Sequence, residues 1–335
     1  MASIRWDELI EHWDSRLRNA FLEAIKNIKD QVVIEDIVRM LSRDDAEGAF
    51  RAVGLDPALL RVWNSAFEKA FEAGGIATAS GVPARLLNVG YHVRFQFNVR
   101  NPAAEFWLKN LSSRFVTEVL EDQRAMIRDV LRDGMARGLN PRTVALDLVG
   151  RVDARGIRSG GKIGLTRTQA VWVRQYQSDL VSDPVASLSR TLRDKRFDSL
   201  VRRAVADKKP IPFETIRKMV LAYENRALRY RAETIARTEA MAALHQSQDT
   251  AMEIAVQQGL IDRSKVSFVW RTAKDNRVRD THQTMNGQQR AMGQPFETGS
   301  GARLRFPGDP NGPASEIINC RCWREPKVDF LAGIQ

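Results

Sequence analysis

Ile216-Arg-Lys-Met-Val-Leu-Ala-Tyr223 opens a run whose apolar residues continue through Ala227, Tyr230, Ile235, Met241 and Leu244 at three- and four-residue intervals. That interval belongs to the α-helix and gives one stripe facing a core. The pattern holds from Pro212 to about Gln258, with room for one break, and Gly259 is placed to stop it. Past Gly259 the period changes. Val266-Ser-Phe-Val-Trp-Arg-Thr272 is β-branched and aromatic and alternates as a strand does. Leu304-Arg-Phe306 is a second short strand candidate. Asn286-Gly287, Gly299-Ser-Gly301 and Pro307-Gly-Asp-Pro-Asn-Gly-Pro313 supply turn chemistry around them. The expectation is a mainly α chain, elongated and multi-domain, ending in a small α+β module.

Upstream segments also read as helix. Trp6, Leu9, Ile10, Trp13, Leu17, Phe21, Ala24, Ile25 and Ile28 form one stripe. A second stretch runs from Ala58 to Ala73, and Gly74-Gly75 is expected to end it. Tyr91 to Val99 alternates and suggests a short strand or extended arm. Asn101-Pro102, Asn140-Pro141 and Asp183-Pro184 each look like an N-cap followed by proline at the first helical position. Arg151 to Gly164 reads as a polar, glycine-rich linker. Leu165-Thr-Arg-Thr-Gln-Ala170 is echoed by Ile235-Ala-Arg-Thr-Glu-Ala240, and each is read as opening a helix. The resulting division is a helical segment over 1–75, an arm and helices over 76–150, a basic helical region over 151–258 and the α+β module over 259–335.

The charge is uneven. Of the net +11, residues 151–240 contribute most, with 20 Lys and Arg against 10 Asp and Glu, while residues 1–150 carry 20 against 21. A segment of that sign is a candidate surface for a polyanion. Arg190, Arg193, Lys195, Arg196, Arg202 and Arg203 are the candidate DNA contacts. The alternative is a solvated helix face with no partner. No apolar run reaches bilayer length, and the N-terminal residues lack a signal-peptide core. The chain is therefore expected in a reducing cytoplasm, where its two cysteines imply no disulfide framework.

Three constellations carry candidate chemistry. Gly156-Ile-Arg-Ser-Gly-Gly161-Lys162 has P-loop spacing, but Ile163 stands where Ser or Thr would bind magnesium and no apolar strand precedes it. A flexible basic linker is the better reading. Cys320-Arg-Cys322 is tighter than an ordinary zinc knuckle, yet with His282 it offers three metal ligands, and Asp280, Asp309 or His245 could be the fourth. The competing reading is two small buried thiols and a histidine bonded to backbone. Arg237, Thr238 and Glu239 suggest an inward polar network with Asp275, Arg277 or Arg279. Glu239 and His282 could also serve as base and acid. A metal-dependent hydrolase or nuclease centred on His282, Glu239, Cys320 and Cys322 is thus one alternative function. A DNA-binding protein outside any virion is another.

Residues 95–327 resemble the phage Mu F-like minor head proteins, also called phage head morphogenesis proteins. The similarity rests on Asn101-Pro102 with Trp107-Leu108, Gly164 to Ala170, and Arg237, Thr238 and Glu239. It continues with Trp270, Asp275, Arg279, His282 and Gly287, then Pro307, Gly308 and Asp309, and ends at Asn319-Cys-Arg-Cys322. The resemblance implies a non-enzymatic minor capsid component made in the host cytoplasm and placed in the head interior near the portal. It implies portal protein, capsid or scaffold proteins and non-specific double-stranded DNA as partners. It brings no catalytic residues and no required cofactor, and no toxin domain follows Cys322 in this sequence. The N-terminal helices, with Trp6, Trp13, Trp63 and Phe67, suit either a docking face for a protein partner or an intramolecular core, and the core is favoured.

Overall fold

The computed structural model describes residues 5–82, 85–86 and 92–329, the pairs 85–86 and 92–93 by backbone alone. The helices are α1 (Trp6–Gln31), α2 (Ile34–Leu41), α3 (Ala46–Ala52), α4 (Arg61–Ser80), α5 (Pro102–Ala136) and α6 (Pro141–Val149). They continue with α7 (Arg167–Ser182), α8 (Pro184–Ser187), α9 (Asp198–Ala206), α10 (Phe213–Gln257), α11 (Asp280–Gln283) and α12 (Ala314–Ile317). The strands are β1 (Arg85–Leu86), β2 (His92–Val93), β3 (Arg151–Val152), β4 (Arg158–Ser159), β5 (Val266–Thr272), β6 (Gln289–Ala291), β7 (Phe296–Glu297), β8 (Arg303–Leu304) and β9 (Cys322–Val328). The chain is mainly α with a small C-terminal α+β module, as its periodicities indicate. No described helix is long and apolar enough to cross a membrane.

The chain forms two compact units. One gathers the described parts of Met1–Phe21, Val62–Arg114 and Glu233–Gln335; the other gathers Leu22–Arg61 and Phe115–Ala232. The run from Pro212 to Gln258 has no break: α10 is one helix of 45 residues. Its Ile235-Ala-Arg-Thr-Glu-Ala240 therefore lies inside a helix and opens nothing. The echo at Leu165 does open one, because Thr166 caps α7 in a capping box with Gln169.

The three Asx-Pro devices behave as their chemistry requires. Asn101 Oδ1 accepts from Ala103 N–H at 3.0 Å. Asn140 accepts from Arg142 N–H and Asp183 from Ala186 N–H, with proline occupying the first turn each time. Gly74-Gly75, by contrast, does not end α4, which runs on to Ser80. A Cβ on Gly74 would stand 2.7 Å from Leu244 O, and one on Gly75 would stand 2.1 Å from the Phe97 ring. These glycines let α10 and the segment after β2 lie directly against α4. Phe97 and Phe95 are buried there, following the two-residue β1–β2 pairing, so the alternation of 91–99 becomes a short strand and then extended chain. Tyr91 itself is outside the described residues. Trp6, Trp13, Trp63 and Phe67 are all buried, which assigns them to core rather than to a docking face.

In the other unit, Leu165, Val173, Tyr176, Leu180, Val201, Ile211, Ile216, Met219, Tyr223 and Ala227 form one apolar cluster, with Tyr176 stacked on Tyr223 at 4.5 Å. The expected flexible linker 151–164 is instead an ordered β3–β4 hairpin returning into a buried turn. Gly161 has φ 81°, and a Cβ there would meet Gly150 N at 2.4 Å. Only glycine fits that crossing. Lys29 Nζ donates to Gly160 O at 2.7 Å, and Gly161 N–H donates to Glu224 Oε2 at 3.0 Å. Lys162, the would-be phosphate lysine, pairs with Asp147 at 3.0 Å. The P-loop spacing thus serves chain packing.

Burial pushes the Glu224 carboxyl up to about 7 and the Lys29 ammonium down to about 8. Between the ordinary carboxyl value of 4.5 and about 7, folded Glu224 keeps a proton that the unfolded chain releases, so stability falls as pH rises. Between about 8 and 10.5, folded Lys29 has lost a proton the unfolded chain retains, so stability recovers. Urea midpoints measured across pH should show a minimum between these limbs. Glu224→Gln should flatten the acid limb and, by removing the carboxylate that favours the Lys29 cation, extend the alkaline limb to lower pH.

Candidate functional site

The C-terminal module is organised by β5. It pairs antiparallel with β9 along its whole length, from Val266↔Val328 to Thr272↔Cys322, and with β6 through Ser267↔Ala291. The expected strand at Leu304-Arg-Phe306 is shifted by one residue, to β8, and pairs with β7. Gly287, with φ 86°, turns the chain back so that its N–H donates to Trp270 O at 2.8 Å.

His282, Cys320 and Cys322 meet in one buried cluster, their ligand atoms all within 4.8 Å of one another. His282 Nδ1 lies 3.4 Å from Cys320 Sγ and 3.5 Å from Cys322 Sγ. His282 Nε2 lies 2.9 Å from Glu316 Oε2, a hydrogen-bond distance with an off-axis angle. Glu316 is itself fixed, accepting from Ser300 Oγ at 2.7 Å and Thr281 Oγ1 at 2.9 Å. Burial pushes its carboxyl up, but those two bonds and the neighbouring imidazole outweigh it and hold the group below its ordinary value. The Trp270 ring stands edge-on to His282 at 5.5 Å. A hydrogen bond from Cys322 holds the Cys320 thiol well below its usual pKa, and the same sharing pushes Cys322 up.

The surrounding signature residues fix the chain on either side. Arg237 Nε donates to Cys320 O at 3.0 Å. Thr238 Oγ1 accepts from Asn319 N–H at 3.2 Å, and Asn319 takes a left-handed φ of 55°, which asparagine tolerates. Arg279 donates to Ile318 O. Asp275 pairs with Arg321 at 2.7 Å and Arg277 at 3.3 Å. Arg237 and Thr238 thus reach the backbone at 319–320, whereas Asp275 is engaged with Arg321 and Arg277. Glu239 is half-buried on α10 and lies outside the thiol–imidazole cluster. None of the three suggested fourth ligands joins it either. Asp280 is exposed, Asp309 pairs with Arg305 at 2.8 Å, and His245 Nδ1 sits 3.0 Å from both Met241 O and Pro307 O.

A second buried frame lies on α10, and its centre is a residue sequence reading passed over. Arg324 is 2% exposed. It donates to Gln248 Oε1 at 2.6 Å, to His245 O at 3.0 Å and to Arg305 O at 3.1 Å, and it pairs with Asp249. Its guanidinium lies 4.1 Å above the Phe268 ring. Burial and the Arg324 charge push His245 down to about 3, so its imidazole is neutral. The Phe306-Pro-Gly-Asp-Pro310 turn docks beside it. Gly308, at φ 79°, brings the backbone so close that a Cβ would meet Met241 Cβ at 2.7 Å, and Asp309 accepts the Arg305 and Asn311 N–H groups. An arginine three residues past Asn-Cys-Arg carries no local signal of burial, because every partner is distant in sequence.

Among the basic candidates the structure separates two kinds. Arg190 pairs with Asp179 at 2.8 Å and Arg193 with Asp198 at 3.0 Å, both largely sequestered. Arg196 bonds buried Asp194 yet keeps 84% of its side chain exposed. Arg202 sits 3.9 Å from Asp198 and faces solvent, as do Lys195 and Arg203.

This arrangement defines a structural class of protein: a long helix carrying a small, internally tied α+β module. Residues 201–324 match the family model described as Phage Mu protein F like protein, so this part of the chain is similar to that family. No curated protein and no solved structure matches the chain. The matched span ends at Arg324, the residue at the centre of the second frame.

Replacing Arg324 strands Asp249 and three acceptors without a cation. Arg324→Met should therefore lower stability by about 3–5 kcal/mol, as for breaking a buried pair from one side, and urea unfolding measures it. Arg324→Lys should recover little, since an ammonium cannot span the fork of acceptors.

Proposed function

We propose that this chain acts in phage head morphogenesis as a minor structural protein of the virion, seated at the portal vertex inside the head and touching packaged DNA. The carrying observation is the phage Mu F-like match over residues 201–324. Support for DNA contact comes from the uneven charge, with 20 basic against 10 acidic residues in 151–240. It also comes from the exposure of Lys195 and Arg196 just before α9 and of Arg202 and Arg203 within it, with Lys208 and Lys209 exposed just beyond its end. Such a face attracts phosphates without reading bases. Arg190 and Arg193 are reassigned to holding the fold. The portal assignment rests on what the family implies, and the buried N-terminal aromatics take no part in it.

Affinity for unrelated duplexes should be equal and should fall steeply with salt. Replacing Lys195, Arg202 and Arg203 together by glutamine should reduce the slope of log affinity against log salt by roughly 0.9 for each phosphate contact removed. A flat salt response, or an unchanged slope in that variant, removes the DNA contact. Arg193→Gln should instead lower thermal stability.

The portal reading has a separate check. The full chain should co-purify with the portal protein of the same phage. Failure to associate under assembly conditions contradicts the placement while leaving the family assignment intact.

A further inference from the structure

We propose that His282, Cys320 and Cys322 hold one zinc ion, which pins the entry of β9 to α11. The assignment begins with spacing. In extended chain, residues two apart project to the same face. Cys320-Arg-Cys322 runs into β9, and Arg321 O already accepts Ala273 N–H at 3.0 Å beside the sheet, so the pair delivers two sulfurs to one side. The tightness that disfavours a knuckle is thus suited to a strand edge.

The distances agree with a metal polyhedron. Zinc bonds of about 2.3 Å to sulfur and about 2.0–2.1 Å to nitrogen, at tetrahedral angles, place S and N about 3.5 Å apart. The two S···N separations are 3.4 and 3.5 Å. The imidazole is oriented for the task. Glu316 stands 2.9 Å from Nε2, favouring the proton there and leaving the Nδ1 lone pair toward the sulfurs. Thr281 and Ser300 hold Glu316 in that position. This carboxylate–histidine–metal order is how ligating histidines are commonly buttressed. Cys320 and Cys322 have no exposed surface and His282 is 1% exposed, so thiolate bonds would offset most of the dehydration of a thiophilic cation.

Among the described residues, no fourth protein group joins the cluster. The ion is held by three protein atoms and completes its shell with a non-protein ligand such as water. Its effect is to tie Asn319–Cys322, already held to α10 through Arg237 and Thr238, to the 280–283 turn.

The test uses the full chain, purified under reducing conditions, with alkylation and mass measurement confirming two free thiols. Zinc alone is titrated against a chromophoric chelator. About one equivalent per chain should bind, and the melting temperature of the chelator-treated protein should rise on adding zinc but not magnesium. Cys320→Ser with Cys322→Ser should abolish uptake. Glu316→Gln should keep one equivalent with affinity weakened roughly 10–100-fold. A folded, reduced wild type that takes up no zinc overturns the proposal without needing any variant. A double serine variant that binds as well as wild type overturns it too, and unchanged affinity in Glu316→Gln removes Glu316 from the site.

Discussion

The buried guanidinium of Arg324 is the interaction on which the C-terminal module depends. It ties β9 to α10 through Gln248, Asp249 and the His245 carbonyl, and to the 305–310 turn through Arg305 O. A charge so far from water is tolerated only when every donor is matched. Meeting that condition fixes the register of β9 against β5, and with it the depth at which Cys320 and Cys322 sit. His245 can lie in the same frame only as a neutral ring, since the Arg324 cation and burial both oppose its protonation. The Phe306-Pro-Gly-Asp-Pro310 turn reaches α10 because Gly308 presents no side chain there.

The same economy recurs in the other unit. Lys29 and Glu224 hold opposite sides of the Gly160-Gly161 turn through its backbone, and the glycines permit a crossing that any Cβ would block. In both units, irregular chain is kept in place by buried charged side chains bonded to peptide groups. Such segments cannot satisfy their backbone by regular pairing, so side chains must do it.

What was legible in the sequence was what local chemistry determines. The Asx-Pro caps, the helical period of α10 (though not that it runs unbroken), the switch to strand at Val266 and the turn glycine at 287 all follow from neighbours within a few residues. Gly74-Gly75 misled because the same residue type that ends helices also lets them approach closely, and only the partner, Leu244, distinguishes the two. The hairpin at 151–164 was hidden for the same reason. Arg324, Asp249 and Glu316 gave no signal, since their partners lie 16 to 79 residues away. The three-member cluster at His282, Cys320 and Cys322 was visible as residue types, but its carboxylate buttress was not. The basic face was visible as a sum of charge, yet the sum could not separate Arg190 and Arg193, spent on carboxylates, from Lys195, Arg202 and Arg203.

In the proposed role in head morphogenesis, a module tied to the C-terminal half of α10 by buried charge would move with that helix rather than swing on it. The central claim is that β9 and the C-terminal half of α10 form one cooperative unit through Arg324. Native-state hydrogen exchange tests it most directly. Amides of residues 241–257 and 322–328 should share one opening free energy and respond together to denaturant. Exchange of β9 at a markedly lower free energy than α10, with the helix remaining protected, would contradict the account.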